Sequence, residues 1–578
     1  MTLSQKRKRI PNLIESKFKT LLIVSIFGWI ILLVGQVVDN VLAGNILGEA
    51  GLSAVQILAP FLMLISAIGS FVGMGFAVKF SYLKGKGQDN EANKIVGLGI
   101  IFTLVISLVI CLLMVFLKDQ LLSIFNMSTQ VREYVYEYYN WYIGIAIVQP
   151  FYLLLFKVIN QDGDPVWTVI SSVGQVVINF VISAILIRVM GIAGLSLGSF
   201  ISISISILLL CGHFFSKKNS IKIRFTFNLK KLKDPCIYGF PALLGNLSTA
   251  IVNLVLNAFI ARTFGDLFLA SFTLVCFVTN MRLACVCVSD SLGAFFSTAK
   301  GSGNNDDINL CFKILKKYSI IVPIFLTILI MSLCMVIPMM FKIVPESSLY
   351  VYCYSACLII APVFICYSFT ITLGSSYTAI GKPKITVVNQ IISNLLFPIL
   401  FPIIFTLIIG NFYGIIIGYA VSAVLSIAVM AISLAIIHKP HKVFLADPVS
   451  DKQFSVDLFL TDECIKEKRD YIFENLSSNN IEEKTIQCIL NIYDEACQFI
   501  KSKNSDRLIT VRLTYSISDK QIKIFAKNNG RILPEEEKQD EIINHKEEHE
   551  TLNFVYESEN LNYATMISFN SQLVVVPR

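Results

Sequence analysis

The sequence predicts an all-α polytopic membrane protein with about 12 transmembrane helices in two six-helix repeats. A C-terminal cytoplasmic α/β-sandwich domain follows. Three observations carry this expectation. First, 55% of the 578 residues are hydrophobic and 15% charged, with a mean hydropathy of +0.68. Soluble proteins carry about 25% charged residues, so one ordinary soluble enzyme is excluded. Second, the net charge of +8 divides unevenly, +16 over residues 1–442 and −8 over residues 443–578. Third, landmarks recur at offsets of 216 to 218 residues.

Apolar runs long enough to cross a hydrocarbon core lie near 20–42, 52–77, 95–117, 134–158, 165–189 and 191–213. Six more lie near 236–261, 267–298, 318–341, 350–375, 385–409 and 412–437. With the N-terminus inside, 26 Lys/Arg fall in inner segments and five in outer ones. That bias places both termini in the cytoplasm of a multi-pass protein of the cell membrane. The basic N-terminal tail (1–19) precedes a run too long for a signal peptide, so it reads as a retained first helix. Basic residues scattered between apolar runs form no nucleic-acid surface. The 14 cysteines contain no C-x-x-C pair and mostly sit within spans, as apolar filler and not as a metal site.

Asn40-x3-Gly44-x3-Gly48 recurs as Asn257-x3-Ala261-x3-Gly265. Lys84-Gly85-Lys86-Gly87 recurs as Lys300-Gly301-Ser302-Gly303, and Gly163-Asp164-Pro165 as Gly381-Lys382-Pro383. The chain thus divides into an N-lobe (20–215), a basic linker (216–235), a C-lobe (236–438) and the acidic domain (443–578). Six spans per lobe return the chain to its starting side. The lobes are therefore related by an axis along the membrane normal, with a cavity between them.

The segment Val38-Asp39-Asn40-Val41-Leu42-Ala43-Gly44, the Lys-Gly-x-Gly turn and the doubled lobes resemble the MATE (multidrug and toxic compound extrusion) family over about residues 15–438. The resemblance implies a secondary active antiporter. Inward proton or sodium flux would export small organic compounds, cationic drug-like ones among them, with no cofactor beyond coupling H+ or Na+. A lipid-linked oligosaccharide flippase of the same superfamily is the nearest alternative. A membrane sensor signalling through the tail domain is the second.

Ionisable groups within spans are costly and by default functional. Gln36, Asp39 and Asn40 share one helical face, and Asn253 and Asn257 are repeat mates of Gln36 and Asn40. A carboxylate in such a cavity can exchange a proton or bind a cation. Capping a short outer loop is the plainer role for Asp39, which the repeated polar face argues against. The resemblance implies a coupling-cation site of Asp39, Asn179, Ser183 and Ser199, with Ser183 standing where the family places a second carboxylate. Protons are favoured over sodium on that account. Arg282 and Asp290, eight residues apart on one face, join the substrate cavity; they pair with one another, or Arg282 meets an anionic substrate, or Asp290 simply lines the inner mouth. The tyrosines at 134, 136, 138, 139 and 142, with Trp141, read as an interfacial belt.

Beyond residue 443, mixed periodicities give strands at 454–460, 508–517, 521–527, 552–556 and 563–569, with helices at 462–475 and 482–503. This pattern resembles the ATP-binding fold of histidine kinases and anti-sigma-factor kinases, the GHKL class. The resemblance implies a degenerate nucleotide-like site at Glu495, Asn528 and Gly530. Phe499 occupies the magnesium-holding Asn position, Asn528 replaces an Asp, and the acidic 535–550 segment replaces the phosphate-binding turn. Partner binding or regulation is then the expected role, although an unrelated small α/β domain fits the same pattern. No enzymatic activity is expected. Its net acidity predicts salt-sensitive docking on the basic inner loops.

Overall fold

The computed structural model describes residues 12–572 apart from 124–126, 128, 217–218, 266, 336–346, 439–451, 479–482, 503, 505–508, 518–520, 530–553 and 561–564. Several side chains within helices, those of Gln36 and Asn40 included, also lie outside the description. The N-lobe comprises α1 (Leu13–Ile46), α2 (Gly48–Gly85), α3 (Asp89–Phe116), α4 (Lys118–Ser123), α5 (Thr129–Gln161), α6 (Pro165–Met190) and α7 (Ile192–Cys211). The C-lobe comprises α8 (Lys233–Phe264), α9 (Leu267–Met281), α10 (Val286–Gly301), α11 (Asn305–Leu333) and α12 (Ser348–Ile360). It continues with α13 (Phe364–Ala379), α14 (Pro383–Ile391), α15 (Phe397–Ile409) and α16 (Tyr413–His438). Short irregular turns join α9 to α10, α12 to α13 and α14 to α15, so each pair forms one crossing element. Among the described residues 11 stretches are long and apolar enough to span a membrane. The 34-residue α1 makes the twelfth crossing by its place in the repeat.

The repeat is written in the backbone. Positive-φ glycines occur in mated pairs, Gly48 with Gly265, Gly87 with Gly303, Gly163 with Gly381 and Gly191 with Gly410. These turns need a left-handed residue, which glycine supplies without steric cost. Pro165 and Pro383, also repeat mates, open α6 and α14 where a missing N–H costs nothing. Each lobe buries its own apolar core. The first helix belongs to both. Leu13, Ile14, Phe18 and Leu22 lie in the C-lobe core, whereas Leu42 and Ala43 lie in the N-lobe core.

The lobes meet at the end carrying Lys79, Lys84, Lys300 and the tail domain, called here the basic end. A Cβ on Gly85 would strike the Thr298 carbonyl, and one on Gly301 would strike Tyr82 and Gly85. The repeat mates Gly85 and Gly301 thus touch at the pseudo-twofold axis. Gly75 and Gly239 seal α2 against α8 in the same way, against Pro235 and Phe71. Backbone contact this close tolerates no side chain, which is why small residues stand at such helix crossings. Lys79 and Asp234 add an ion pair at 2.6 Å.

The tail domain is a five-stranded antiparallel sheet of β1 (Lys452–Phe459), β2 (Thr510–Ile517), β3 (Gln521–Asn528), β4 (Phe554–Asn560) and β5 (Thr565–Gln572), in the order β1-β2-β3-β5-β4. Helices α17 (Asp462–Ser478) and α18 (Glu483–Ser502) contribute to the core with Val456, Leu458, Val511, Leu513, Tyr515, Ile524 and Ala526. Strand alternation turns Asp457, Arg512, Thr514 and Lys527 to the other face. That face docks on the start of α11.

The sense of the docking corrects the sequence expectation. The acid stands on the membrane part and the bases on the tail. Fully buried Asp307 accepts from Arg512 Nε at 2.7 Å and also pairs with Lys527. Arg512 Nη1 lies 2.8 Å from Asp457, which accepts from Asn12 Nδ2 at 3.0 Å, and Asn304 donates to Thr514 at 3.2 Å. Burial opposes the Arg512 charge, but Asp307 and Asp457 outweigh it and hold its pKa above the ordinary arginine value. Net charge failed as a guide because a contact is decided by a few desolvated residues, not by the sum over a domain.

Asp307→Asn leaves Lys527 and Arg512 buried without their shared carboxylate, a loss of about 3–5 kcal/mol. Hydrogen exchange in the full chain should show loss of protection along β2 and at Asn304–Ile308. In the unaltered chain the contact should survive roughly 0.5 M salt, since buried pairs are weakly screened.

Candidate functional site

Beyond the closure, α1, α6 and α7 bring three polar side chains together in the N-lobe. Ser199 on α7 donates to Asp39 Oδ2 at 3.2 Å and accepts from Asn179 Nδ2 on α6 at 2.8 Å. The hydroxyl has one proton and accepts through a lone pair, so the chain Asn179→Ser199→Asp39 has one donor direction. Among the described residues, buried Asp39 Oδ1 has no hydrogen-bond partner. One carboxylate oxygen is therefore fixed while the other retains its capacity for a proton or cation. Tyr138 and Tyr142 on α5 are buried, their ring centroids 5.1 Å apart.

Ser183 is buried one turn beyond Asn179, packed against Gly198, and its hydroxyl is outside this chain of bonds. The side chains of Gln36 and Asn40 lie outside the described residues. The tyrosine cluster corrects the belt expectation in part. Tyr138, Tyr139 and Tyr142 are buried, whereas Trp141 is exposed. A helix presents both faces, and only one of them meets the membrane interface.

In the C-lobe, Asn253 accepts a contact from Cys276 Sγ at 3.7 Å, and Asn257 is exposed. Arg282 does not pair with Asp290. A 3-10 turn over Arg282–Cys285 breaks the helical face that their spacing assumed. The Arg282 guanidinium instead lies 4.1 Å from the Tyr367 ring centroid. Asp290 is taken by the other lobe: Lys157 Nζ on α5 lies at 2.8 Å, and Trp29 Nε1 on α1 donates at 3.3 Å. Ser291 donates to Ser25 at 3.1 Å beside it. Among the described residues, the hydrogen bonds and ion pairs joining the lobes lie toward the basic end.

These features meet those of known proteins at the membrane part. The family model described as MatE matches residues 25–185. The multidrug export protein MepA of Staphylococcus haemolyticus (strain JCSC1435) is 27% identical over 234 residues, covering 38% of this chain. The chain spans half the length of that relative. The solved structure of MATE in complex with MaL6 superposes with a TM-score of 0.67 at 19% identity, over 74% of this chain and 98% of its own. The membrane part has the fold of that MATE structure. An outward-facing multidrug resistance MATE transporter of the MOP superfamily also gives 0.67 at 19% identity, over 74% of this chain and 97% of its own. A MOP superfamily transporter from Pyrococcus furiosus Vc1 (DSM3638), whose binding pocket is described as reversed in polarity, matches equally at 19% identity, over 73% and 96%.

Several contacts of the membrane part were not legible in the sequence. Lys157 reads as one more inner positive charge, and only the structure sets it across the lobe boundary. His213, fully buried, lies 2.9 Å from Asp162 and 3.2 Å from Asp164 and clasps the α5–α6 turn. The available signal was two carboxylates flanking a glycine between apolar runs. In the tail, Glu495 is exposed on α18, Asn528 is buried at the end of β3, and Gly530 lies outside the described residues. The GHKL resemblance receives no support from these comparisons.

Asp290→Asn should loosen the closure, because it leaves half-buried Lys157 without its carboxylate. Spin labels on Gln88 and Lys313, introduced as noncanonical residues to spare the cysteines, should give one short distance in the native chain. The variant should add a longer population.

Proposed function

We propose that this protein is a MATE-type secondary transporter that exports small organic compounds by alternating access, with Asp39 as the coupling group. The observation that carries this reading is the Asp39–Ser199–Asn179 chain, a buried carboxylate with one bonded and one unpartnered oxygen, placed beyond a closed lobe contact. A carboxylate so placed changes its preference for a proton or ion when its surroundings change between two lobe arrangements. That difference is what couples two equilibria. Protons are the coupling ion in this proposal. The hydroxyls of Ser199 and Ser183 and the amide of Asn179 supply only neutral oxygens, and a sodium ion would have one charged ligand.

The basic end is the cytoplasmic end in this reading, since it gathers the positive loops. The described arrangement is then the outward-open one. Opening inward requires separating Gly85 from Gly301 and breaking Lys157–Asp290 and Lys79–Asp234. The tail rides on the C-lobe and regulates transport or receives a partner there. Its site residues Glu495 and Asn528 carry no nucleotide chemistry in this account.

The test is flux in proteoliposomes under imposed proton or sodium gradients. Asp39→Asn should abolish gradient-driven efflux while substrate exchange without a gradient persists. Undiminished driven efflux in the variant would refute the coupling role.

A further inference from the structure

The C-lobe interior carries an unmatched positive charge. Arg282 sits in the 3-10 turn between α9 and α10, within the membrane-spanning part. Its Nε is buried without a hydrogen-bond partner, and among the described residues no carboxylate pairs with its guanidinium. The acids that might have served are engaged elsewhere. Asp290 is held by Lys157 and Trp29, and Asp307 by Arg512 and Lys527. The spans 236–261 and 350–375 contain no Asp or Glu at all. The turn packs against α1, the helix in the seam between the lobes.

An arginine within a membrane span and without a paired carboxylate is costly to bury. Tyr367 gives a cation–π contact at 4.1 Å, and buried Tyr419 and the thiols of Cys276 and Cys285 lie within electrostatic reach. A planar guanidinium presents a fork matched to carboxylate or phosphate oxygens, and among the described residues the fork has no carboxylate partner. The Tyr367 ring supplies flat apolar surface beside it.

Resting on the transporter reading of the membrane part, we propose that Arg282, Tyr367 and Tyr419 form a substrate subsite for the carboxylate of an aromatic anion. Asp39 lies in the N-lobe and Arg282 in the C-lobe. The transported compound therefore binds with its anionic group toward the C-lobe, away from the coupling carboxylate. A purely cationic substrate would face Arg282 with like charge, which a low-dielectric site penalises.

The experiment is counterflow exchange in proteoliposomes holding the full chain. Radiolabelled aromatic monocarboxylates from benzoate to naphthoate are each set against the corresponding amidine, so ring size is held constant and charge inverted. At least one carboxylate should exchange ten-fold or more faster than its amidine. Arg282→Gln should remove that exchange, and Arg282→Lys, which keeps the charge and loses the fork, should fall between. Monodisperse elution of each variant checks folding. Failure of every carboxylate to exchange, preference for the amidines, or carboxylate exchange unchanged in Arg282→Gln would overturn the subsite. Counterflow needs no ion gradient. Carboxylate exchange that no proton or sodium gradient drives would leave this inference standing and defeat the antiport reading. Gradient-driven amidine efflux unaffected by Arg282→Gln would do the reverse.

Discussion

The contact between the two lobes at the basic end is the constraint on which the rest of the molecule depends. It is made from backbone, with Gly85, Gly301, Gly75 and Gly239 bringing α2 against α10 and α8 where a methyl group would not fit. Close-packed backbones have two stable arrangements, together or apart, and little between. Lys157 and Asp290 add a charged fastening across the same boundary, with Trp29 of α1 bonded to the same carboxylate. The first helix is thus tied to the C-lobe at one end and to the N-lobe at the other. Asp39 lies on its far part.

The same repeat explains how the two loads at the basic end are carried. Glu91 and Asp307 are repeat mates in the first turns of α3 and α11. Glu91 receives Lys231 of the inter-lobe linker, and Asp307 receives Lys527 and Arg512 of the tail. Asn93 likewise accepts from the Lys222 backbone N–H at 2.8 Å. Each lobe therefore offers an acidic helix start to the segment that follows it in the chain. The linker covers one, and a whole folded domain covers the other. An acid in a first helical turn is favoured by the helix dipole, so the sites serve the helices as well as their partners.

Much of the architecture was legible because it rests on local rules. Span lengths, turn glycines and the gathering of Lys and Arg at one end each follow local rules, and the repeat made them redundant. The juxtaposition of Asp39, Asn179 and Ser199 was reached through family resemblance, since nothing in their spacing brings α1, α6 and α7 together. Where the sequence misled, a local irregularity or a nonlocal partner was responsible. The 3-10 turn at Arg282 destroyed the face it would have shared with Asp290. Lys157 claimed that carboxylate from the other lobe, and Asp307 outweighed the net charge of its surroundings. Pairings between elements more than 100 residues apart leave no periodic trace.

The most direct test of the account measures both ends of the molecule at once. Spin labels on Gln88 and Lys313 report the basic end, and labels on Val189 and Leu407 report the opposite one, in the full chain reconstituted in lipid. Lowering the pH should lengthen one distance as the other shortens, and Asp39→Asn should hold both distances fixed across the titration. If the two ends move together, or if the Asp39→Asn chain responds to pH as the native chain does, lobe rocking governed by Asp39 is contradicted.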